Sequence, residues 1–119
     1  MHHEDIEIIR KIDMKKKILV CSLKEFEEEV RQNKFFAKWS DELKDEIVIY
    51  QYQNNLLAYS GVCPHFGGPL RPLPNGDVRC GWHDWRFSAS EGHCINRKIK
   101  CRLVRYELEI DEHEIKVIK

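Results

Sequence analysis

Apolar residues recur at alternate positions along much of this chain, and a period of two predicts strands. Ile6-Glu7-Ile8-Ile9-Arg10-Lys11-Ile12 predicts an opening edge strand, the first 13 residues being either that strand or a tail. A second start follows at Ile18-Leu19-Val20. Phe35 to Trp39, Ile47 to Tyr52 and Leu56 to Tyr59 read as further strands, with Asn54-Asn55 as the turn between the last two. Leu103 to Ile110 and Glu114 to Ile118 form a final hairpin around Asp111-Glu112-His113, and Asn75-Gly76 predicts a tight hairpin turn. One segment breaks the alternation. Ser22 followed by Glu25 makes a capping box, and Leu23, Phe26 and Val30 give a short amphipathic helix with Glu27, Glu28 and Glu29 on its solvated side. Many short strands and one helix predict an all-β fold, a small antiparallel sandwich or barrel. Leu56, Tyr59, Trp85 and Phe87 are expected to pack in the core or at the base of the loops.

Composition sets the scale. At 119 residues and 42% hydrophobic, the chain suits a single domain over 1–119. Lys plus Arg equals Asp plus Glu at 20 each, so the balance gives no argument for nucleic acid or a membrane surface. Charged residues reach 34%, as expected of a well-solvated surface or a heat-adapted one. No apolar run matches a membrane span, which points to a soluble cytoplasmic protein. Met14 to Cys21 superficially resembles a lipoprotein signal, but only three apolar residues precede the cysteine. In a reducing compartment Cys21, Cys94 and Cys101 read as buried apolar residues, with no bond expected between the last two.

The chemistry lies in two short segments, Cys63-Pro64-His65 and Cys80-Gly81-Trp82-His83, separated by fourteen residues. Each puts one thiol and one imidazole in turn-forming sequence, CPHFGGPL and NGDVRCGWHDW, so four soft or borderline ligands are available. A structural zinc site is one reading of two cysteines and two histidines. Its usual spacing pairs the cysteines on one knuckle and the histidines on a helix, whereas here each knuckle carries one of each.

These knuckles resemble those of Rieske-type [2Fe–2S] proteins, in which two cysteines hold one iron and two histidines the other. The resemblance covers about Ile47 to Ile118, including the continuation WRFSASEGHC. It implies that Cys63 and Cys80 hold the ferric iron, that His65 and His83 hold the reducible one, and that both loops converge at one end of the barrel. The chain departs from the family in a shorter gap between knuckles, in Gly81 where proline is common, and in Asp84 where glycine is common. In respiratory Rieske proteins an additional cysteine pair forms a disulfide, and a serine and a tyrosine bond to cluster sulfurs. Gly68 and Trp82 occupy the cysteine positions here, and Trp85 and Phe87 the hydroxyl positions. Fewer donors to sulfur imply a lower potential. The pattern is similar to Rieske ferredoxins and to the Rieske domains of ring-hydroxylating oxygenases. Outside the knuckles, only the amino-terminal His2-His3-Glu4-Asp5 sets a histidine pair beside carboxylates, and it reads as a disordered start rather than an oxygenase's mononuclear iron site; His93 and His113 are expected in solvated turns.

The resemblance therefore implies a ferredoxin carrying one electron at a time between a reductase and an oxygenase or other oxidoreductase, with redox proteins as partners and no nucleic acid or membrane. A tightly bound subunit like the small subunit of nitrite reductases is the alternative, and a zinc module a third. Phe66, Gly67, Gly68, Pro69, Gly81 and Trp82 bracket the ligands, which predicts a flat, weakly charged tip for docking or for shielding.

Overall fold

A computed structural model of the chain describes residues 16–64, 67–82 and 84–119. The expected opening strand lies outside the described residues, as do His2, His3, His65, Phe66 and His83. Strand β1 (Lys17–Ser22) leads into helix α1 (Leu23–Asn33), followed by β2 (Phe36–Ser40), β3 (Asp45–Tyr52) and β4 (Asn55–Ser60). Three short strands come next, β5 (Leu70–Pro72), β6 (Val78–Cys80) and β7 (Arg86–Phe87), before β8 (Arg105–Ile110) and β9 (Glu114–Ile118). They form a six-stranded antiparallel sheet in the order β1-β9-β8-β4-β3-β2 and a separate three-stranded sheet, β5-β6-β7.

The larger sheet is a nearly closed barrel. Its two edge strands, β1 and β2, flank a groove of about 240 Å³ between Ile18-Leu19-Val20 and Lys38-Trp39, and α1 packs against both. Ser22 caps the helix as expected: its hydroxyl accepts from the Glu25 amide at 3.0 Å. Phe26 is the helix's buried anchor and meets Phe36 with ring centroids 6.2 Å apart. A bulge between Leu19 and Cys21 turns two successive residues, Val20 and Cys21, inward.

Strand β3 explains how two cores share one sheet. Ile47, Val48, Ile49 and Tyr50 are all buried, a continuous apolar run of the kind that a strand covered on both faces requires. Ile47 and Ile49 join Val20, Phe26, Ile115 and Val117 inside the barrel. Val48 and Tyr50 point the other way, to a second core with Tyr59, Leu70, Val78 and Phe87 that holds the small sheet.

Three boundaries differ from the sequence pattern for local reasons. Lys34 takes a left-handed C-cap, φ 71°, so β2 opens at Phe36, and Phe35 instead carries the Arg71 guanidinium 5.5 Å from its ring centroid. Gln53 adopts φ 57°, which makes Gln53-Asn54 the two-residue turn and leaves Asn55 paired with Tyr52. Leu103 is buried in the second core, its amide bonded to Gly92 O at 2.9 Å, so β8 starts only at Arg105. Among the described residues no helix is long and apolar enough to cross a membrane.

Candidate metal centre

The small sheet is little more than a frame for two loops. Its strands span three, three and two residues. The first loop leaves β4 and is closed by a bridge between Val62 and Pro69. The second leaves β6 and returns as β7.

The two loops are built alike. In the first, the Cys63 amide donates to Gly68 O at 2.7 Å and the Gly67 amide to Cys63 O at 2.9 Å. In the second, the Cys80 amide donates to Trp85 O at 2.8 Å and the Asp84 amide to Cys80 O at 3.1 Å. Both frames thus link each cysteine to residues four and five positions later. In both, the fourth residue has positive φ, 74° at Gly67 and 55° at Asp84. They are joined side by side, because Leu70 pairs with Cys80 and the Gly81 amide donates to Pro69 O at 2.9 Å.

Asp84 therefore does in the second loop what glycine does in the first. Aspartate tolerates the left-handed region better than most residues, and its carboxylate is gripped from outside. It accepts a hydrogen bond from Arg79 Nε and lies 3.8 Å from Arg86 Nε. The bond from Arg79 holds its carboxyl below the usual carboxylate range. Asn96 completes the lock, donating to Asp84 O at 2.7 Å and accepting from the Arg86 amide at 2.9 Å. Sequence reading marked Asp84 only as a departure from glycine. Its partners Arg79, Arg86 and Asn96 carry no local signal, because register brings Arg79 opposite Arg86 and a return loop brings Asn96.

Of the four expected ligands, the structure describes Cys63 and Cys80, while His65 and His83 lie outside the described residues. Both thiols are buried, and they belong to one core cluster with Tyr59 and Phe87. That environment fits an inorganic cluster. A Cβ on Gly68 would lie 3.0 Å from Cys80 Sγ and 2.9 Å from the Trp82 ring, so the bare glycine keeps room beside the sulfur. The Tyr59 hydroxyl, in a residue 1% exposed, has no hydrogen-bond partner among the described residues. An orphaned donor in a core with two thiols suits a site whose sulfurs become anionic on loading. Among the described residues no group of three or more histidines, cysteines or carboxylates is gathered to hold a metal ion elsewhere.

Tyr59 and Phe87 are fully buried, and half-buried Leu56 and Trp85 pack against the two cores, as expected. Cys21, Cys94 and Cys101 are free thiols as expected, Cys21 and Cys94 buried and Cys101 half-buried. His113 is exposed, but His93 is half-buried, its strand-like bridge to Arg102 drawing the ring in until Nδ1 lies 3.3 Å from Glu91 Oε2. The residues that bracket the ligands are uncharged, and beside the second loop Arg79 and Arg86 meet the Asp84 carboxylate.

Comparison with known proteins agrees with this geometry. The model of the Rieske [2Fe–2S] domain matches residues 16–107. The ferredoxin component of an alkene monooxygenase system from Xanthobacter autotrophicus is 29% identical over 69 residues, a match spanning 56% of this chain and 56% of that protein. Among solved structures, the ferredoxin of carbazole 1,9a-dioxygenase from Nocardioides aromaticivorans superposes with a TM-score of 0.65 at 19% identity, covering 86% of this chain and 96% of that one. A Sphingomonas yanoikuyae ferredoxin gives 0.67 at 14% identity, covering 87% and 99%. At such identities the structures establish the fold, and the family match reaches further: the chain belongs to the Rieske [2Fe–2S] domain family, whose cofactor is one [2Fe–2S] cluster per chain.

Proposed function

We propose that this chain is a one-electron carrier, a Rieske ferredoxin working between a reductase and an oxygenase or another oxidoreductase. Cys63 and Cys80 would hold one iron and His65 and His83 the other, in a single domain. The observation that carries the reading is the pair of matched loop frames, which bring two buried thiols of distant sequence into one core. When bound, the cluster supplies reversible one-electron chemistry. The chain's own residues do the rest. Val78, Leu70 and Phe87 exclude water beneath the thiols, the Gly67 and Asp84 turns fix the direction of each loop, and Trp82 lies across Gly68 as a lid joining the two loops. The lid is 64% exposed, so its outer face is open to a partner. We place the protein in the cytoplasm, with redox proteins rather than nucleic acid or membrane as partners.

Titration with dithionite and reoxidation by air tests this reading. One electron per chain, taken up and returned with full recovery of the visible spectrum, is the expected result. A colourless protein, or irreversible bleaching at the first electron, would remove the carrier role.

A further inference from the structure

The chain has no net charge, but its charges are not evenly spread. Residues 61–105 carry eight Lys or Arg and three Asp or Glu, a net of +5, so the remainder carries −5. Part of that excess is neutralised: Arg71 is paired with Glu46 at 2.8 Å and Arg79 with Asp84. Arg86 lies near the same Asp84, and Arg105 on β8 donates to Ser88 O and Ala89 O; the rest is contiguous in sequence. Arg97, Lys98, Lys100 and Arg102 are all exposed, and among the described residues none has a carboxylate partner within ion-pair distance.

This basic segment is fastened beside the second loop. Asn96 clasps Asp84 and Arg86 as described, the Ile95 amide donates to Arg86 O at 2.8 Å, and Cys94 bridges to Phe87. Ile99 packs against the core that contains Cys63 and Cys80. The cations therefore flank the loop bearing the exposed Trp82, while the helix and the final hairpin are rich in acidic side chains.

We propose that Arg97, Lys98, Lys100 and Arg102 form a basic docking rim beside the Trp82 tip, and that the occupant is a redox protein whose own electron-transfer site has an acidic surface. The proposal rests on the electron-carrier reading and adds the sign of the partner's charge. Exposed cations set the field over a Debye length, about 8–10 Å at physiological salt, even when the whole molecule is neutral. Such a field speeds encounter and orients it without tight binding. The apolar indole at the centre and the cations at its edge match the division between interface core and rim.

The test uses the holoprotein with two small redox reagents of opposite charge. Stopped-flow oxidation of the reduced protein by ferricyanide should slow about tenfold as salt rises from about 10 to 300 mM, whereas oxidation by a cationic cobalt ammine should quicken. Both slopes should flatten in the variant Arg97→Gln/Lys98→Gln/Lys100→Gln and in the milder Lys98→Gln/Lys100→Gln, and persist in Glu107→Gln/Glu109→Gln on β8. Wild-type slopes near zero for both reagents, or slopes that survive the triple substitution with the spectrum intact, would overturn the proposal. A second arm needs no cluster and separates the two readings: poly-L-glutamate at low salt should bind wild type at least about tenfold more tightly than the triple variant. A colourless protein that still binds polyglutamate would lose the carrier role and keep the basic surface. Equal polyglutamate binding by wild type and variant, or tighter binding of duplex DNA than of polyglutamate, would replace the acidic-protein partner.

Discussion

In the barrel, β3 and β4 pair over six successive residues from Ile47↔Ser60 to Tyr52↔Asn55, whereas in the small sheet β6 and β7 pair over two. The barrel's interior is Ile, Val and Phe, with Cys21 and Ala58 filling gaps. The small sheet shares a core with two candidate ligand thiols and a tyrosine hydroxyl that has no hydrogen-bond partner among the described residues. The first region is stabilised by ladder hydrogen bonds and aliphatic burial. The second has few ladder bonds of its own and depends on turns, on Asn96 and Asp84, and on whatever binds between its loops. Stability and function are thus separated in space, with β3 as the shared wall.

Removing the cluster should break that comparison most sharply. Iron chelation under reducing conditions is expected to lower amide protection in residues 67–82 and 84–103 by at least about a hundredfold, about 2.7 kcal/mol at 1.36 per decade, while β1, β3, β4 and β9 keep theirs. Amide exchange of the loaded and stripped protein measures it. Uniform loss of protection would mean that the barrel leans on the cluster too. The reciprocal change is Ile115→Ala, which empties a fully buried site in the barrel. It should cost about 2–5 kcal/mol in denaturant unfolding and leave the visible spectrum unchanged.

A smaller effect concerns potential. Phe87 is fully buried where a hydroxyl donor would stand in respiratory relatives, and Trp85 occupies the other such position. The midpoint should lie toward the low end of the Rieske range of about −150 to +300 mV, and Phe87→Tyr should raise it. Voltammetry decides, and a wild-type midpoint well into the positive range would show that other donors compensate.

The mildest expected difference appears in alkali. Burial pushes the Cys21 thiol in the barrel and the Tyr50 hydroxyl above the small sheet each up to about 12. Both folded values exceed the unfolded ones, near 8.5 and 10. The stability they confer is therefore complete below those unfolded values and is lost as pH rises toward about 12. Unfolding midpoints in denaturant should fall progressively above pH about 9, and Cys21 should resist alkylation at pH 8 while half-buried Cys101 reacts. Rapid labelling of Cys21 in native protein would contradict the burial.

The periodic parts of the fold were legible because one physical cause acted locally: alternation placed β2, β3, β4 and β9 within one or two residues, and the Ser22 cap fixed the start of α1. The knuckles were legible because Cys, His, Gly and Pro each announce their chemistry. What escaped was assembled by register. Arg79 meets Arg86 only through strand pairing, and Asn96 reaches Asp84 from twelve residues away. The Leu103 segment reads as strand from its apolar residue, yet it is spent on the core under the loops. The basic rim was invisible in a net charge of zero, since its compensating carboxylates lie on the other region.

Metal and sulfide analysis of the purified protein, with the electron paramagnetic resonance spectrum of its reduced form, tests the central claim most directly. The account predicts two irons and two acid-labile sulfides per chain, with nitrogen couplings from two histidines that are altered or lost in His65→Ala and in His83→Ala. One zinc, no sulfide and no colour would contradict it, as would an unchanged spectrum in both histidine variants.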